Sequence, residues 1–263
     1  MVVALGSRVA APTEYSPDVL EPIVRNASTE AGGYGSTGRY GYDRWHLYEL
    51  SWLDSSGHAQ SYVGVLCIDV KSPATIESKS LKLYLNSLNF KNFSNPEEAK
   101  SVICSDVGNL AGGEVTLELF APEDIGMMTC EPDGVLLDAL PPCDASPVEW
   151  VSADAPLVQE TLLSHRMRSL CPVTAQPDWG TLVVSYSGRR INRQALMDLV
   201  DSFRQQQDFH EHCVEQCFDS IRSAADPDAL TVTGYYQRRG GIDITPVRAS
   251  EPVATEFWRM GRQ

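Results

Sequence analysis

Cys171 and Asp178 stand seven residues apart in the run Cys171-Pro172-Val173-Thr174-Ala175-Gln176-Pro177-Asp178, a loop stiffened by two prolines. A thiol held on a rigid loop near a carboxyl suits covalent catalysis: the sulfur adds to an electrophile and the carboxyl donates or removes a proton. The same residues also fit a buried structural cysteine next to a turn-forming aspartate. Taken alone they fit that plainer reading better, since free cysteine is among the most buried residue types.

Three further runs carry chemistry. His210-Glu211 opens a helical pattern; there the glutamate either answers the helix dipole or accepts hydrogen bonds from a purine-like edge beside a proton-relaying histidine. His210, Cys213 and Cys217 follow at i, i+3 and i+7 on one face, but zinc wants three or four ligands and no CxxC pair adds to them, so no metal site is expected. His212, on another face, reads as solvated. The run 76–89, IESKSLKLYLNSLN, packs Glu, Ser and Lys at a helix start, where anions bind. The bland reading makes Ser78 or Ser80 its cap and Lys79 and Lys82 its wet face. Arg238-Arg239-Gly240-Gly241 can grip phosphates bidentately, or serve as an ordinary charged hairpin loop.

These residues need elements to hold them. Residues 43–54 and 60–70 read as strands joined by a turn at Ser55-Ser56-Gly57. Helical patterns follow over 77–88, with Leu81, Tyr84, Leu85 and Leu88 on one face, and over 96–104, opened by Pro96. Residues 114–120 read as a strand. After an aperiodic stretch over 121–156, strand patterns at 158–170 and 179–186 flank the Cys171 loop. Helices over 192–206 and 209–224 and a strand over 229–236 complete the order. Both halves thus read strand, strand, helix, helix, strand, which favours an α+β chain of two similar modules. No GxGxxG follows a strand and no GxxxxGK[ST] occurs, which argues against Rossmann and P-loop nucleotide sites.

Composition narrows the partners. The 263-residue chain has 21 basic and 35 acidic residues, a net charge of −14 that repels nucleic-acid backbones and favours a small-molecule substrate. No stretch approaches the roughly 20 apolar residues that span a bilayer. The opening MVVALGSRVAAP lacks a basic n-region and breaks at Gly6-Ser7-Arg8, so it reads as a loose N-terminal arm rather than a leader. Seven irregularly spaced cysteines (67, 104, 130, 143, 171, 213, 217) then read as reduced thiols in the cytoplasm.

Together the four runs resemble one family. ESKSLKLYLNSLN is similar to the signature of the NADPH-dependent 7-cyano-7-deazaguanine reductases, the nitrile reductases of queuosine biosynthesis. CPVTAQPDWG resembles their catalytic loop, and FHEHCVE and RRGGIDITP their later motifs, in the same order. The resemblance runs from residue 48 to the C-terminus and fits the two-module form of the family. It implies two tandem tunnel-fold modules, each an antiparallel sheet with two antiparallel helices on one face. The expected division is an arm over 1–42, a first module over 43–122, a linker over 123–156 and a second module over 157–263.

The resemblance also implies a homodimer that reduces the nitrile of a free 7-deazapurine to an aminomethyl group. Two NADPH are used, through a covalent cysteine thioimide, before the base enters tRNA. By position, Cys171 matches the nucleophile and Asp178 the proton donor. Ile76, Glu77, Ser78, His210 and Glu211 match the substrate-binding residues, and Ser78, Lys79, Arg239 and Gly240 those assigned to NADPH. What activates the thiol is open; a nearby cation such as Arg168 or His210 could do so. The alternatives are a zinc-dependent tunnel-fold cyclohydrolase and a non-catalytic pterin- or purine-binding module. Within residues 1–42, the stretch GGYGSTGRYGYD has no counterpart in the motifs.

Overall fold

The computed structural model describes residues 11–25, 39–124, 129–141, 148–254 and 259–263. The chain divides into two compact units: Met1–Ala27 with Tyr42–Met128 and Arg238–Ile244, and Ser28–Gly41 with Thr129–Gln237 and Thr245–Gln263. Each combines antiparallel strands with two α-helices, so the chain is α+β. Among the described residues no helix is long and apolar enough to cross a membrane.

In the first unit, strands β1 (Pro22–Val24) and β4 (Ala74–Ile76) pair antiparallel. Strands β2 (Tyr40–Leu53), β3 (Ala59–Asp69) and β5 (Val115–Phe120) form an antiparallel sheet in the order β5–β3–β2. Asp54 makes the β2–β3 turn, its Oδ1 accepting from the N–H groups of Ser56 (2.8 Å) and His58 (3.0 Å). The register slips between Leu47 and Leu50: Tyr48 and Glu49 together face the single residue between Gly64 and Tyr62, a β-bulge that re-aims both side chains.

Helix α1 (Ser78–Ser87) buries Leu81, Tyr84 and Leu85 at helical spacing. Helix α2 (Pro96–Ala111) packs against β4 and β5 through Ala99, Ile103, Val107 and Ala111. It runs seven residues past the expected end at 104, because this four-residue stripe continues through Ser105-Asp106 in small and β-branched residues.

In the second unit, a short β6 (Val135–Leu136) lies parallel to β7 (Leu157–Ser164). The expected single strand over 158–170 is two, β7 and β8 (Arg168–Leu170). The chain breaks at His165, where the Asp138 carboxylate accepts from the Ser164 hydroxyl (2.6 Å) and the His165 N–H (3.1 Å). Strand β9 (Pro177–Arg189) pairs with β7, β8 and β10 (Ala229–Tyr236). Helices α3 (Arg193–Ser202) and α4 (His210–Ala225) follow β9, and α4 packs on β10.

Two further parts of the chain differ from the sequence reading. Strand β11 (Ile242–Ala249) follows β10, although residues 229–236 were expected to be the last strand. All eight of its residues are buried, including Asp243 and Arg248, and Pro246 lies within it, so it shows neither alternation nor an unbroken apolar run.

The other is the N-terminal arm, which is not loose over residues 11–25. The Tyr15 hydroxyl donates to Asp106, β1 pairs with β4, and the Glu77 N–H donates to the Glu21 carbonyl (2.9 Å). A three-residue strand surrounded by prolines carries too little periodicity to announce itself. Residues 1–10 and 26–38, with the leader-like opening and most of the Gly/Tyr-rich stretch, lie outside the described residues, as does Cys143.

Candidate active site

Cys171 follows β8 directly. Its N–H donates to the Gln176 carbonyl (2.9 Å) and its carbonyl accepts from the Ala175 N–H (2.9 Å), so residues 171–176 close into a tight loop with Ala175 left-handed at φ 56°. The loop leaves Cys171 half-buried, while the next strand carries Asp178 inward, opposite Ser169, to 2% exposure. Helix α4 then places His210 Nε2 3.3 Å from Asp178 Oδ2. The structure therefore brings Asp178 and His210 together beside the Cys171 loop, which sequence spacing did not indicate.

The His210 ring is held from behind. It meets the ring of Tyr236 at 4.3 Å between centroids, tilted by 61°. Tyr236 is fully buried on β10 and faces Gly180 on β9; a Cβ at Gly180 would stand 3.2 Å from the tyrosine ring, so glycine leaves the space that the ring fills. Tyr236 thus positions the imidazole, a role the sequence reading missed because it depends on the packing of α4 against β10.

Glu211, 1% exposed, sits in the first turn of α4, where the helix dipole favours a carboxylate. Cys213 and Cys217 belong to the core. Burial, followed by the Asp208 charge, pushes the Cys213 thiol up to about 12, and burial pushes Cys217 well above its ordinary value. Among the described residues no group of three His, Cys, Asp or Glu side chains gathers that could hold a metal ion. His212 is not merely solvated: its Nδ1 lies 3.1 Å from Asp208 Oδ1. Arg168, weighed as the thiol's activator, donates to the Arg204 carbonyl and lies over the exposed Trp179 ring (5.3 Å).

In the first unit Ile76 ends β4 fully buried, and Glu77 is the N-cap of α1. Its Oε1 accepts from the Lys79 N–H (2.9 Å) and its Oε2 from the Ser80 N–H (2.7 Å). Neither Ser78 nor Ser80 is the cap: the Ser80 hydroxyl donates to the Glu77 carbonyl (2.7 Å) and accepts from the Glu21 N–H (3.0 Å). The segment once read as an arm therefore braces the helix that begins with Ser78 and Lys79.

Arg239 and Gly240 lie in a turn closed by the Arg239 N–H on the Ile242 carbonyl (2.8 Å), with Gly240 at φ +62°. The Tyr48–Glu49 bulge holds this turn. The Tyr48 N–H donates to the Gly241 carbonyl (2.9 Å), Arg238 donates to Glu49 (2.8 Å) and stacks 4.0 Å over the Tyr48 ring, and the Tyr48 hydroxyl donates to Asp243 (2.5 Å). His46 Nδ1 completes the brace 2.6 Å from the other Asp243 oxygen.

An α+β chain with a thiol on a tight loop beside a buried carboxyl, itself paired with a part-buried imidazole, has the outline of an enzyme. The family model described as "Nitrile reductase, 7-cyano-7-deazaguanine-reductase N-term" matches residues 11–119, and that described as "QueF-like protein" matches residues 177–254. A protein of Saccharophagus degradans named NADPH-dependent 7-cyano-7-deazaguanine reductase is 40% identical over 268 residues, 99% of each chain. Proteins of the same name from Acinetobacter baylyi (40% identical, 94% of this chain and 93% of theirs) and Bordetella bronchiseptica (41%, 94% and 92%) match over nearly as much. The chain belongs to the family of NADPH-dependent 7-cyano-7-deazaguanine reductases. The crystal structure of the archaeosine synthase QueF-Like in the apo form superposes on 38% of the chain with a TM-score of 0.33 and 23% identity, a likeness too slight to build on.

Proposed function

We propose that this protein reduces the nitrile of 7-cyano-7-deazaguanine to the aminomethyl group with NADPH, within queuosine biosynthesis. The observation that carries this reading is the match, over 99% of both chains, to a relative bearing that activity in its name. The paired Asp178 and His210 beside the Cys171 loop support it independently.

In this reading the Cys171 sulfur adds to the nitrile carbon and gives a covalent thioimide, a better acceptor than the nitrile. Asp178 delivers the proton to nitrogen; buried at 2% exposure, it has little water to compete for that proton. His210, 3.3 Å away and fixed by Tyr236, keeps the carboxyl aimed. Ile76, Glu77 and Ser78, with His210 and Glu211, bind the base, the carboxylates accepting from its N–H donors. A base lacking those donors would leave a buried carboxylate unsatisfied, which is a strong ground for discrimination. Glu77 retains acceptor capacity, since each carboxylate oxygen offers two sites and spends one on α1.

The residues present also fit NADPH. A Cβ at Gly240 would come within 3.1 Å of Lys82 Cε, so glycine lets the turn lie against that side chain, and Lys79, Lys82 and Arg239 are the cations that phosphates require. Ser78, Lys79, Arg239 and Gly240 would hold it. When bound, NADPH would supply the hydrides, two for the four electrons between nitrile and amine, and the Cys171 thiolate would leave the carbon between them, so that the C–S bond is broken before the amine is released.

The reading extends to two tandem tunnel-fold modules, a homodimer and a cytoplasmic location, as the family resemblance implies. The charge of −14 supports a free base rather than RNA as substrate. The test is to mix the protein with 7-cyano-7-deazaguanine and NADPH and follow the cofactor absorbance. Two NADPH consumed per aminomethyl product is expected; a ratio of one, or no consumption, would overturn the reading.

A further inference from the structure

Residues 259–263 lie against the sheet of the second unit, on the face away from α4. Tyr235 and Tyr236 are neighbours on β10, so their side chains point to opposite faces. Tyr236 meets His210 of α4, whereas Tyr235 is buried in a cluster with Leu163, Val183 and Met260. The segment is anchored at its start, where the Cys130 N–H donates to the Arg259 carbonyl (3.0 Å).

Its polar side chains end on the strands that carry the site. Gln263 is buried and uses both ends of its amide. Oε1 accepts from the Met260 N–H (2.9 Å), and Nε2 donates to the Thr245 hydroxyl on β11 (3.0 Å) and to the Tyr236 carbonyl on β10 (3.4 Å). The exposed Arg262 donates to the His165 carbonyl (2.7 Å) and reaches the Gly180 carbonyl on β9 (3.5 Å). Gly180 and Tyr236 are the last pair in the β9–β10 register, and Asp178 stands two residues outside that pair. On its other edge β9 is held there by the three-residue β8. The carboxyl and the ring that fixes His210 therefore sit where strand pairing runs out, and such ends open more readily than strand centres. The roles assigned above use only the α4 face of this sheet and leave a buried, fully bonded glutamine behind it unexplained.

We propose that Gln263 is a positioning residue for proton delivery: it fixes the end of β10 from behind, and through Tyr236 it holds His210 against Asp178. The inference rests on the reductase reading and deepens it. Attack by the Cys171 thiolate forms the C–S bond and breaks one π bond of the nitrile; that electron pair passes to nitrogen, which takes the proton from Asp178. The transfer requires the carboxyl to stand within hydrogen-bond reach of the nitrogen, and a misplacement of about 1 Å can cost as much as 10²-fold. The reactivity of the sulfur itself does not pass through Tyr236, so protonation is the step that depends on Gln263.

The test compares two rates in the full chain: formation of the Cys171 adduct with saturating 7-cyano-7-deazaguanine in the absence of NADPH, and alkylation of Cys171 by iodoacetamide, which needs no proton donor. Gln263→Glu keeps the shape and the bond from Met260 but removes both donated bonds. It is expected to slow adduct formation by roughly tenfold or more while alkylation changes by less than about threefold. Gln263→Met keeps the bulk without the bonds, should act in the same direction, and gives a second reading if the charged variant fails to fold. A segment that merely covers the sheet would lower the unfolding temperature of Gln263→Met and leave its adduct rate within about threefold, which would overturn the proposal. Alkylation slowed as much as adduct formation would overturn it too. A parent protein that forms no adduct at all would instead overturn the reductase reading, and the role of Gln263 with it.

Discussion

The starts of α1 and α4 each carry a glutamate of the proposed site, and they are built differently. Glu77 precedes α1 and commits both carboxylate oxygens to its first N–H groups. Helices α2 and α3 follow the same rule, with Asn95 accepting from the Glu98 N–H and Asn192 from the Gln194 N–H. Helix α4 departs from it. Its N-cap is Phe209, which offers no side-chain acceptor, and Glu211 lies one position inside the helix, almost wholly buried. In the proposed site Glu77 would therefore combine two jobs, capping the start of a helix and accepting from a ligand, whereas Glu211 is not the cap of its helix. The helix that gives up its cap, worth about 1 kcal/mol, is the one that carries His210 and Glu211, and departures from local rules gather at functional sites.

The largest expected effect comes from the α4 side. Asp178→Asn keeps the shape beside His210 but removes the proton, so turnover should fall by about 10² to 10⁴ while binding of the base survives. Near-normal turnover would take Asp178 out of the chemistry. Next come the two glutamates. Glu77→Gln and Glu211→Gln should each weaken the base by roughly 10-fold to 100-fold, the range for a charge-assisted bond. Glu77→Gln should also lower the unfolding temperature, by the loss of part of a cap worth about 1 kcal/mol. An unchanged unfolding temperature in Glu77→Gln would break the capping half of the comparison.

The smallest effect is one of pH. The bond to Asp208 raises the His212 pKa against its partial burial. Burial raises the Asp208 carboxyl, but the His212 bond and the Phe209 N–H outweigh it and hold the group low. A raised histidine contributes stability below its unfolded pKa of about 6.5 and loses it as pH rises through the folded value; a lowered aspartate contributes above about 3.9. His212→Ala should therefore cost most stability between about pH 4 and 6.5 and little at alkaline pH, by denaturant unfolding. A cost that does not change with pH would show that His212 supports α4 by packing alone.

Much of the site was legible because its residues come in contiguous runs: the Cys171 loop, the start of α1, the His210-Glu211 pair and the arginine–glycine turn. The helix faces were legible too, from the spacing of Leu81, Tyr84 and Leu85 and of Leu196 and Val200. What stayed hidden depends on contacts across the sequence. His46 and Asp243 meet across 197 positions, and Tyr236 reaches His210 because α4 packs on β10. Strand β11 was missed because burial on both faces erases alternation. The segment around Glu21 was missed because it supports α1 through backbone groups, which no residue type encodes.

The central claim is that Cys171 forms a bond to the nitrile. Incubating the protein with 7-cyano-7-deazaguanine without NADPH, then measuring intact and peptide masses, tests it most directly. The account requires one added substrate mass, located on Cys171, with Cys213 and Cys217 unmodified and no adduct in Cys171→Ala. An adduct on another residue, or one that persists in Cys171→Ala, would contradict it.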